Sequence, residues 1–125
     1  MTENNITGNI IDCRLKIHKT LGPGLLESVY EEALAYELKR RGLPCDRQVE
    51  VPVVYDGIKM DIGFRADIIV DGKVIVELKS IESVLPVHKK QLLTYLKLSQ
   101  KRVGLLINFN EDLIKNGITR IANGI

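Results

Sequence analysis

The stretch Phe64–Ser80, FRADIIVDGKVIVELKS, decides the fold of this chain. Two apolar runs, IIV and VIV, flank the turn signal Asp71-Gly72, a pattern that predicts a β-hairpin with a hydrophobic body. A charge on a strand built for burial is costly unless it is paired, bound to a metal ion or turned towards a cleft. This hairpin carries three such charges: Asp67, Glu77 and Lys79.

The loop of the hairpin decides whether these charges meet. A two-residue type I′ loop would place Asp67 and Glu77 on opposite faces of the sheet. A three-residue loop, with Gly72 in the left-handed conformation as a bulge, shifts the pairing by one residue and brings Asp67, Glu77 and Lys79 onto one face. We predict the three-residue loop. Two carboxylates and an ammonium at short range would then form a site for a hard divalent cation, with Lys79 beside its water.

The charged pattern from Asp67 to Lys79, D-x9-E-L-K, resembles the bipartite motif of the PD-(D/E)XK nuclease superfamily, with Ala66 where the motif name has proline. Upstream, GLLESVY at 24–30 resembles the signature of the GxxExxY family, small bacterial proteins placed in that superfamily. The resemblance runs from about Ile10 to the C-terminus. It implies an α/β, restriction-endonuclease-like core, αβββαβ, with a mixed central sheet flanked by helices.

The resemblance also implies a chemistry for the charged residues. Asp67 and Glu77, with the main-chain carbonyl of Leu78, would coordinate Mg²⁺ or Mn²⁺. The reaction would be phosphodiester hydrolysis, in DNA more than in RNA. Lys79 would orient or deprotonate the attacking water, and because an ammonium beside carboxylates normally stays protonated, a positioning and electrostatic role is favoured.

Glu27 lies in the first turn of a helix predicted from Leu25 or Leu26 to Arg41. A carboxylate there complements the helix dipole and needs no further role. The resemblance offers a second role, because many superfamily members use a glutamate on the first core helix to complete the metal site, directly or through water. Both readings stay open. Tyr30 is interpreted as a core residue with a satisfied hydroxyl rather than as a catalytic acid.

The helix after the hairpin carries a polar and aromatic face, with His88, Gln91 and Tyr95 at spacings of three and four. Gln91 resembles the glutamine with which superfamily members orient the site or contact the nucleic-acid backbone, although a solvent-facing glutamine explains it equally. His88 could contact phosphate or belong to an ordinary exposed turn. Arg65 is a candidate phosphate ligand or a charge partner for a neighbouring carboxylate, which is the commoner case.

Apolar spacing predicts the other elements. Along a strand predicted over 59–70, strict alternation places Arg65 and Asp67 on one face and Phe64, Ala66 and Ile68 on the other. The remaining predictions are a helix over 6–20 ended by Gly22-Pro23-Gly24, an edge strand over 44–55 containing Pro52, a strand over 73–79, a helix over about 85–98 capped by Ser83, a buried strand over 102–109 parallel to the strand before it, and a tail from 111 with a helical turn and a short strand over 118–122.

Composition limits the function classes. With 125 residues, of which 45% are hydrophobic and 27% charged, the chain is predicted to be one globular domain over 1–125. It has no apolar run of membrane-spanning length and a polar N-terminus, which predicts a cytoplasmic protein without a membrane helix. The net charge of +2 neither requires nor excludes nucleic acid, so any binding surface must be local.

Two other classes stay open. The first is a nuclease-fold protein without turnover that acts as a nucleic-acid or protein binding module. The second is a structural or assembly protein in which Asp67, Glu77 and Lys79 form an internal ion-pair network. A homodimer is plausible in the nuclease reading, because one small domain offers little surface for a duplex and cutting both strands needs two sites or two visits.

Overall fold

The first third of the chain forms two amphipathic helices that pack against each other. In a computed structural model, which describes residues 1–110 and 117–124, α1 covers Glu3–Leu21 and α2 covers Glu27–Arg40. The chain leaves α1 at Gly22, whose φ of +74° suits glycine and confirms the predicted helix end. In the described part of the chain, no helix is long and apolar enough to cross a membrane.

The rest of the described chain forms strands around one further helix. The strands are β1 Cys45–Val51, β2 Val54–Tyr55, β3 Ile58–Lys59, β4 Phe64–Val70, β5 Val74–Lys79, β6 Val103–Asn108 and β7 Ile118–Ala122, and α3 covers Pro86–Ser99. A five-stranded sheet has the order β1-β4-β5-β6-β7, with β5 and β6 parallel across α3 and the other neighbours antiparallel. This is the predicted mixed sheet flanked by helices. β7 confirms the short strand predicted in the tail, while the helical turn expected from 111 falls on residues outside those described.

The register of the β4–β5 hairpin confirms the three-residue loop. Val70 pairs with Val74, and the pairing continues outwards to Ile68 and Val76. Gly72 has a φ of +65°, as predicted, and Asp71 is also left-handed at +53°. Continuing this register sets Asp67 opposite Glu77, because paired positions in an antiparallel sheet lie on the same face.

The predicted alternation along β4 is wrong at its centre. Phe64 and Ala66 pack in the cluster beneath α3, whereas Ile68 belongs to the cluster beneath α1 and α2. On β1, Gln48 lies opposite Asp67 and has a φ of +51°. This left-handed residue interrupts the pleat of β1 beside the point where Ala66 and Ile68 leave β4 on opposite faces.

The first two predicted strands are each interrupted, which leaves a small two-stranded arm of β2 and β3 outside the main sheet. Pro52 follows β1, which is indeed an edge strand, and proline cannot donate to a ladder. Gly63 precedes β4, and a side chain there would collide with the main-chain oxygen of Val51. Tyr55 is exposed on the arm.

The predicted cap of α3 is also wrong. The helix begins at Pro86, and its N-cap is Leu85 rather than Ser83. The side chain of Leu85 is exposed. Leu92 and Leu96 are buried, and they hold α3 against the face of the sheet that carries Asp67 and Glu77.

Candidate active site

The open end of the β4–β5 hairpin borders a cavity of about 200 Å³ between the sheet, α3 and the start of α2. Its wall gathers all of the side chains that the sequence singled out for the site. They are Glu27, Arg65, Asp67, Glu77, Lys79, His88, Gln91 and Tyr95, and Leu92 and Leu106 complete the lining. Leu78, which was predicted to contribute its main-chain carbonyl, points its side chain into the core on the other face.

Two carboxyl groups lie together in this cavity. Oδ2 of Asp67 accepts a hydrogen bond from the main-chain N–H of Leu78 at 2.8 Å, which fixes its direction. Glu77 is only 8% exposed, and its Oε1 has no hydrogen-bond partner among the described residues. Burial, followed by the charge of Asp67 and a hydrogen bond with it, raises the pKa of Glu77 to about 9, against the opposing effect of Lys79. In the metal-free protein, Glu77 is therefore protonated at neutral pH.

These groups fit a hard divalent cation. Carboxylate and carbonyl oxygens are the ligands that Mg²⁺ and Mn²⁺ prefer, and the unpartnered Oε1 of Glu77 is an oxygen that a cation would satisfy. Within residues 1–110 and 117–124, no three acidic, histidine or cysteine side chains stand close enough to hold a metal ion by themselves. A bound ion would therefore need main-chain or water oxygens as well. Direct ligation by Glu27 and by the Leu78 carbonyl stays a prediction.

Three polar groups surround the carboxylates. Nδ1 of His88 accepts the main-chain N–H of Leu85 at 2.9 Å, so the ring fixes the start of α3 and keeps Nε2 for another partner. Gln91 is exposed one turn further along α3. The Arg65 guanidinium lies 3.9 Å from the exposed carboxylate of Glu50, a pair of little energetic weight, which leaves Arg65 able to contact a ligand.

An aromatic pair forms part of the same wall. The ring of Tyr95 stacks on that of Phe64, with centroids 3.7 Å apart and planes within 7° of parallel. Burial, with smaller contributions from the charges of Glu77 and Asp67, raises the pKa of Tyr95. Its hydroxyl therefore keeps its proton over a wide pH range and can serve as a donor.

Sequence reasoning missed the residues that hold the segment after Lys79. Asn108, which is fully buried on β6, accepts the N–H of Ile81 at 3.1 Å and donates to its carbonyl at 2.9 Å. The Ser80 hydroxyl donates to the carbonyl oxygen of Leu25 at 2.6 Å. The only signal for Asn108 was a polar residue near the end of the otherwise apolar run RVGLLINF. Ser80 gave no signal, since its partner lies far away in sequence.

A larger recess of about 460 Å³ lies between α1 and α2 and shares no residue with the carboxylate cavity. Its lining is mainly apolar, and it includes neither Asp67 nor Glu77. The smaller cavity, with its polar and charged side chains, is therefore the candidate active site.

Comparison with known proteins identifies a family for the chain. A family model described as the PD-(D/E)XK nuclease superfamily matches residues 4–121. The match spans the helices, the central sheet and every residue that lines the carboxylate cavity. No curated protein and no solved structure matches the chain. Since the family model covers nearly the whole chain, the protein belongs to the PD-(D/E)XK nuclease superfamily.

Proposed function

We propose that this protein is a metal-dependent nuclease that hydrolyses phosphodiester bonds, in DNA rather than RNA. The observation that carries the proposal is that Asp67 and Glu77, on adjoining strands, line one cavity together with Lys79. The superfamily match supports the reaction class, because it covers this site. The GLLESVY segment at 24–30 further supports membership of the GxxExxY family.

Asp67 and Glu77 would hold Mg²⁺ or Mn²⁺ through their carboxylate oxygens, together with the main-chain carbonyl of Leu78. When bound, the ion supplies positive charge that stabilises the phosphate oxygens in the transition state. The ammonium of Lys79 would orient the attacking water and offset charge at the phosphate rather than remove a proton.

The substrate would be held by donors around the cavity. The guanidinium of Arg65, the free ring nitrogen of His88, the amide of Gln91 and the hydroxyl of Tyr95 can each donate to phosphate oxygens. These are few contacts, in keeping with a net charge of +2. We therefore expect binding that weakens only moderately as salt is raised, because few counterions are released.

The test uses supercoiled plasmid, single-stranded DNA and RNA, each with Mg²⁺, Mn²⁺ or EDTA. Cleavage is expected with a divalent cation and not with EDTA. Asp67→Asn is expected to abolish it, while Asp46→Asn, which changes an exposed acid on β1, is expected to retain it. Full cleavage by the Asp67→Asn variant would show that the site is wrong. Binding of one substrate without cleavage of any would instead indicate the binding module.

The ion-pair network is the remaining alternative. Among the described residues, Lys79 forms no ion pair within 4.0 Å with either carboxylate, and the raised pKa of Glu77 marks a group that lacks a strong counter-charge. Replacing Asp67 and Glu77 together by apolar residues of similar volume separates the two readings. A structural network tolerates the change, whereas a metal site loses Mn²⁺ binding.

We propose a cytoplasmic location for the protein, and we propose a homodimer because one small domain offers little surface for gripping a duplex. Light scattering of the purified protein, with and without a short DNA duplex, measures its mass. A monomeric mass under both conditions would contradict the dimer.

A further inference from the structure

The turn between α1 and α2 is held by one buried hydroxyl. The side chain of Tyr30 is fully buried, and its hydroxyl donates to the carbonyl oxygen of Gly22 at 2.6 Å. The hydroxyl oxygen of Tyr30 in turn accepts a hydrogen bond from the main-chain N–H of Leu25 at 3.0 Å. The phenol therefore clamps both ends of a four-residue turn, which is more than a core tyrosine needs to satisfy its single polar group.

The turn is also tied to the end of β5. The ring of Tyr30 stacks on Phe109, with centroids 4.1 Å apart, and the N–H of Phe109 donates to the carbonyl of Lys79 at 2.9 Å. The hydroxyl of Ser80, the next residue, donates to the carbonyl of Leu25 at 2.6 Å. Two routes thus connect the turn to the strand that carries Glu77 and Lys79, one through stacked rings and one through a hydrogen bond.

Glu27 is placed by this turn. It is the first residue of α2 and lines the carboxylate cavity. Its side chain is exposed and makes no hydrogen bond or ion pair with the described residues, so its position depends on the backbone before it. Gly24, in the middle of the turn, has a φ of +90° with nothing closer than 3.9 Å to an added side chain. Glycine is needed there for its backbone conformation rather than for space.

We infer that Tyr30 and Ser80 are positioning residues, whose hydroxyls hold this turn so that Glu27 contributes its carboxylate to the cavity that Asp67 and Glu77 line. The inference deepens the proposed function and rests on it for the identity of the site. The inference also assigns roles to three residues of GLLESVY: Gly24 permits the turn, Tyr30 holds it by hydrogen bonds, and Glu27 is positioned by it.

Titration calorimetry at neutral pH measures the binding of Mn²⁺ to the full chain. It tests the inference without any substrate. Tyr30→Phe keeps the stacked ring and removes both hydrogen bonds, and Ser80→Ala removes the tie to Leu25. Each is expected to weaken Mn²⁺ binding, Tyr30→Phe by about tenfold, which is the usual size for a group that orients a metal site from outside. Tyr36→Phe, at an exposed tyrosine on the same helix, is the matched control and is expected to bind Mn²⁺ like the wild type.

A second comparison separates positioning from general stability. In the background of Glu27→Gln, Tyr30→Phe is expected to cause no further loss of Mn²⁺ affinity, because the charge that it positions is already gone. A merely structural role would lower the free energy of unfolding in both backgrounds and leave the affinity unchanged. Unchanged affinity in Tyr30→Phe, or equal losses with and without Glu27, would overturn the inference.

If Tyr30→Phe does not fold, Gly24→Ala strains the same turn from the backbone side and is expected to weaken Mn²⁺ binding in the same way. Asp67→Asn is expected to abolish binding and so tests the site itself. Failure of the wild type to bind Mn²⁺ would overturn both the site and the inference. Binding that depends on Asp67 and Glu27, without cleavage of any nucleic acid, would remove the proposed activity and leave the positioning role standing.

Discussion

The raised pKa of Glu77 predicts that this residue destabilises the metal-free protein at neutral pH. In the folded protein the pKa of this carboxyl is about 9 instead of its ordinary 4.5. The contribution of Glu77 to the free energy of unfolding is therefore fully present below about pH 4.5 and is lost as the pH rises towards 9. At pH 7 the unfolded carboxyl is ionised while the folded one still holds its proton. At 1.36 kcal/mol for each pH unit above the unfolded value, the loss amounts to about 3 kcal/mol at pH 7.

Glu77→Gln should therefore raise the free energy of unfolding at pH 7 by up to about 3 kcal/mol, because the neutral amide can donate to Asp67 as the protonated carboxyl does and carries no titrating group. Urea unfolding followed by circular dichroism, in EDTA at several values from pH 5 to pH 8, measures the difference between the two proteins. The difference should grow with pH and nearly vanish at the acidic end. Glu82→Gln, at an exposed glutamate, should track the wild type throughout.

Parallel curves for wild type and Glu77→Gln across this pH range would refute the reasoning, since they would mean that the carboxyl ionises freely in the folded protein. Mn²⁺ supplies a second check. Added to the wild type at pH 8, it should restore stability by displacing the proton from Glu77, and in Glu77→Gln it should restore little.

Three further predictions follow from the site and the packing of α3. Lys79→Met should lower the cleavage rate about 100-fold or more while Mn²⁺ still binds, because the ammonium stabilises negative charge that develops in the transition state. Initial cleavage rates and Mn²⁺ calorimetry measure the two effects, and an unchanged rate would contradict the prediction. Leu92→Ala should cost about 2–5 kcal/mol by urea unfolding, since the side chain is buried beside the site, whereas Leu98→Ala at the exposed side of α3 should cost much less. Gly104→Val should cost about 1–3 kcal/mol in the same assay, because even the first side-chain carbon would lie 2.9 Å from Leu92; a stable variant with unchanged unfolding would show that α3 can move away.

The hairpin is the part of the molecule that sequence reasoning predicted most completely. The loop register and the opposition of Asp67 and Glu77 follow from seventeen consecutive residues, in which turn type and apolar pattern act over short range. The buried strand β6 and its parallel pairing with β5 were equally accessible, because an apolar run after a crossover helix allows few other arrangements.

The failures have local structural causes that composition does not reveal. Strict alternation along β4 failed beside the left-handed residue Gln48 of the neighbouring strand, where Ala66 and Ile68 pack on opposite faces of the sheet. The N-terminus of α3 was misjudged because the imidazole of His88, three residues into the helix, satisfies the backbone that a serine was expected to cap. Hydrophobic periodicity reveals neither the left-handed backbone of Gln48 nor the hydrogen bond of His88.

The sequence by itself determined that two acids and a lysine of one hairpin share a face, since a short loop and a two-residue repeat leave little freedom over that distance. Only the tertiary structure decided what surrounds them. Ser80 donates to a carbonyl 55 positions away in the sequence, and Asn108 bonds to the backbone of a residue 27 positions away. Glu27 reaches the cavity from α2, outside the hairpin. Such contacts depend on how whole elements pack, because a hydrogen bond between distant segments leaves no periodic trace in either one.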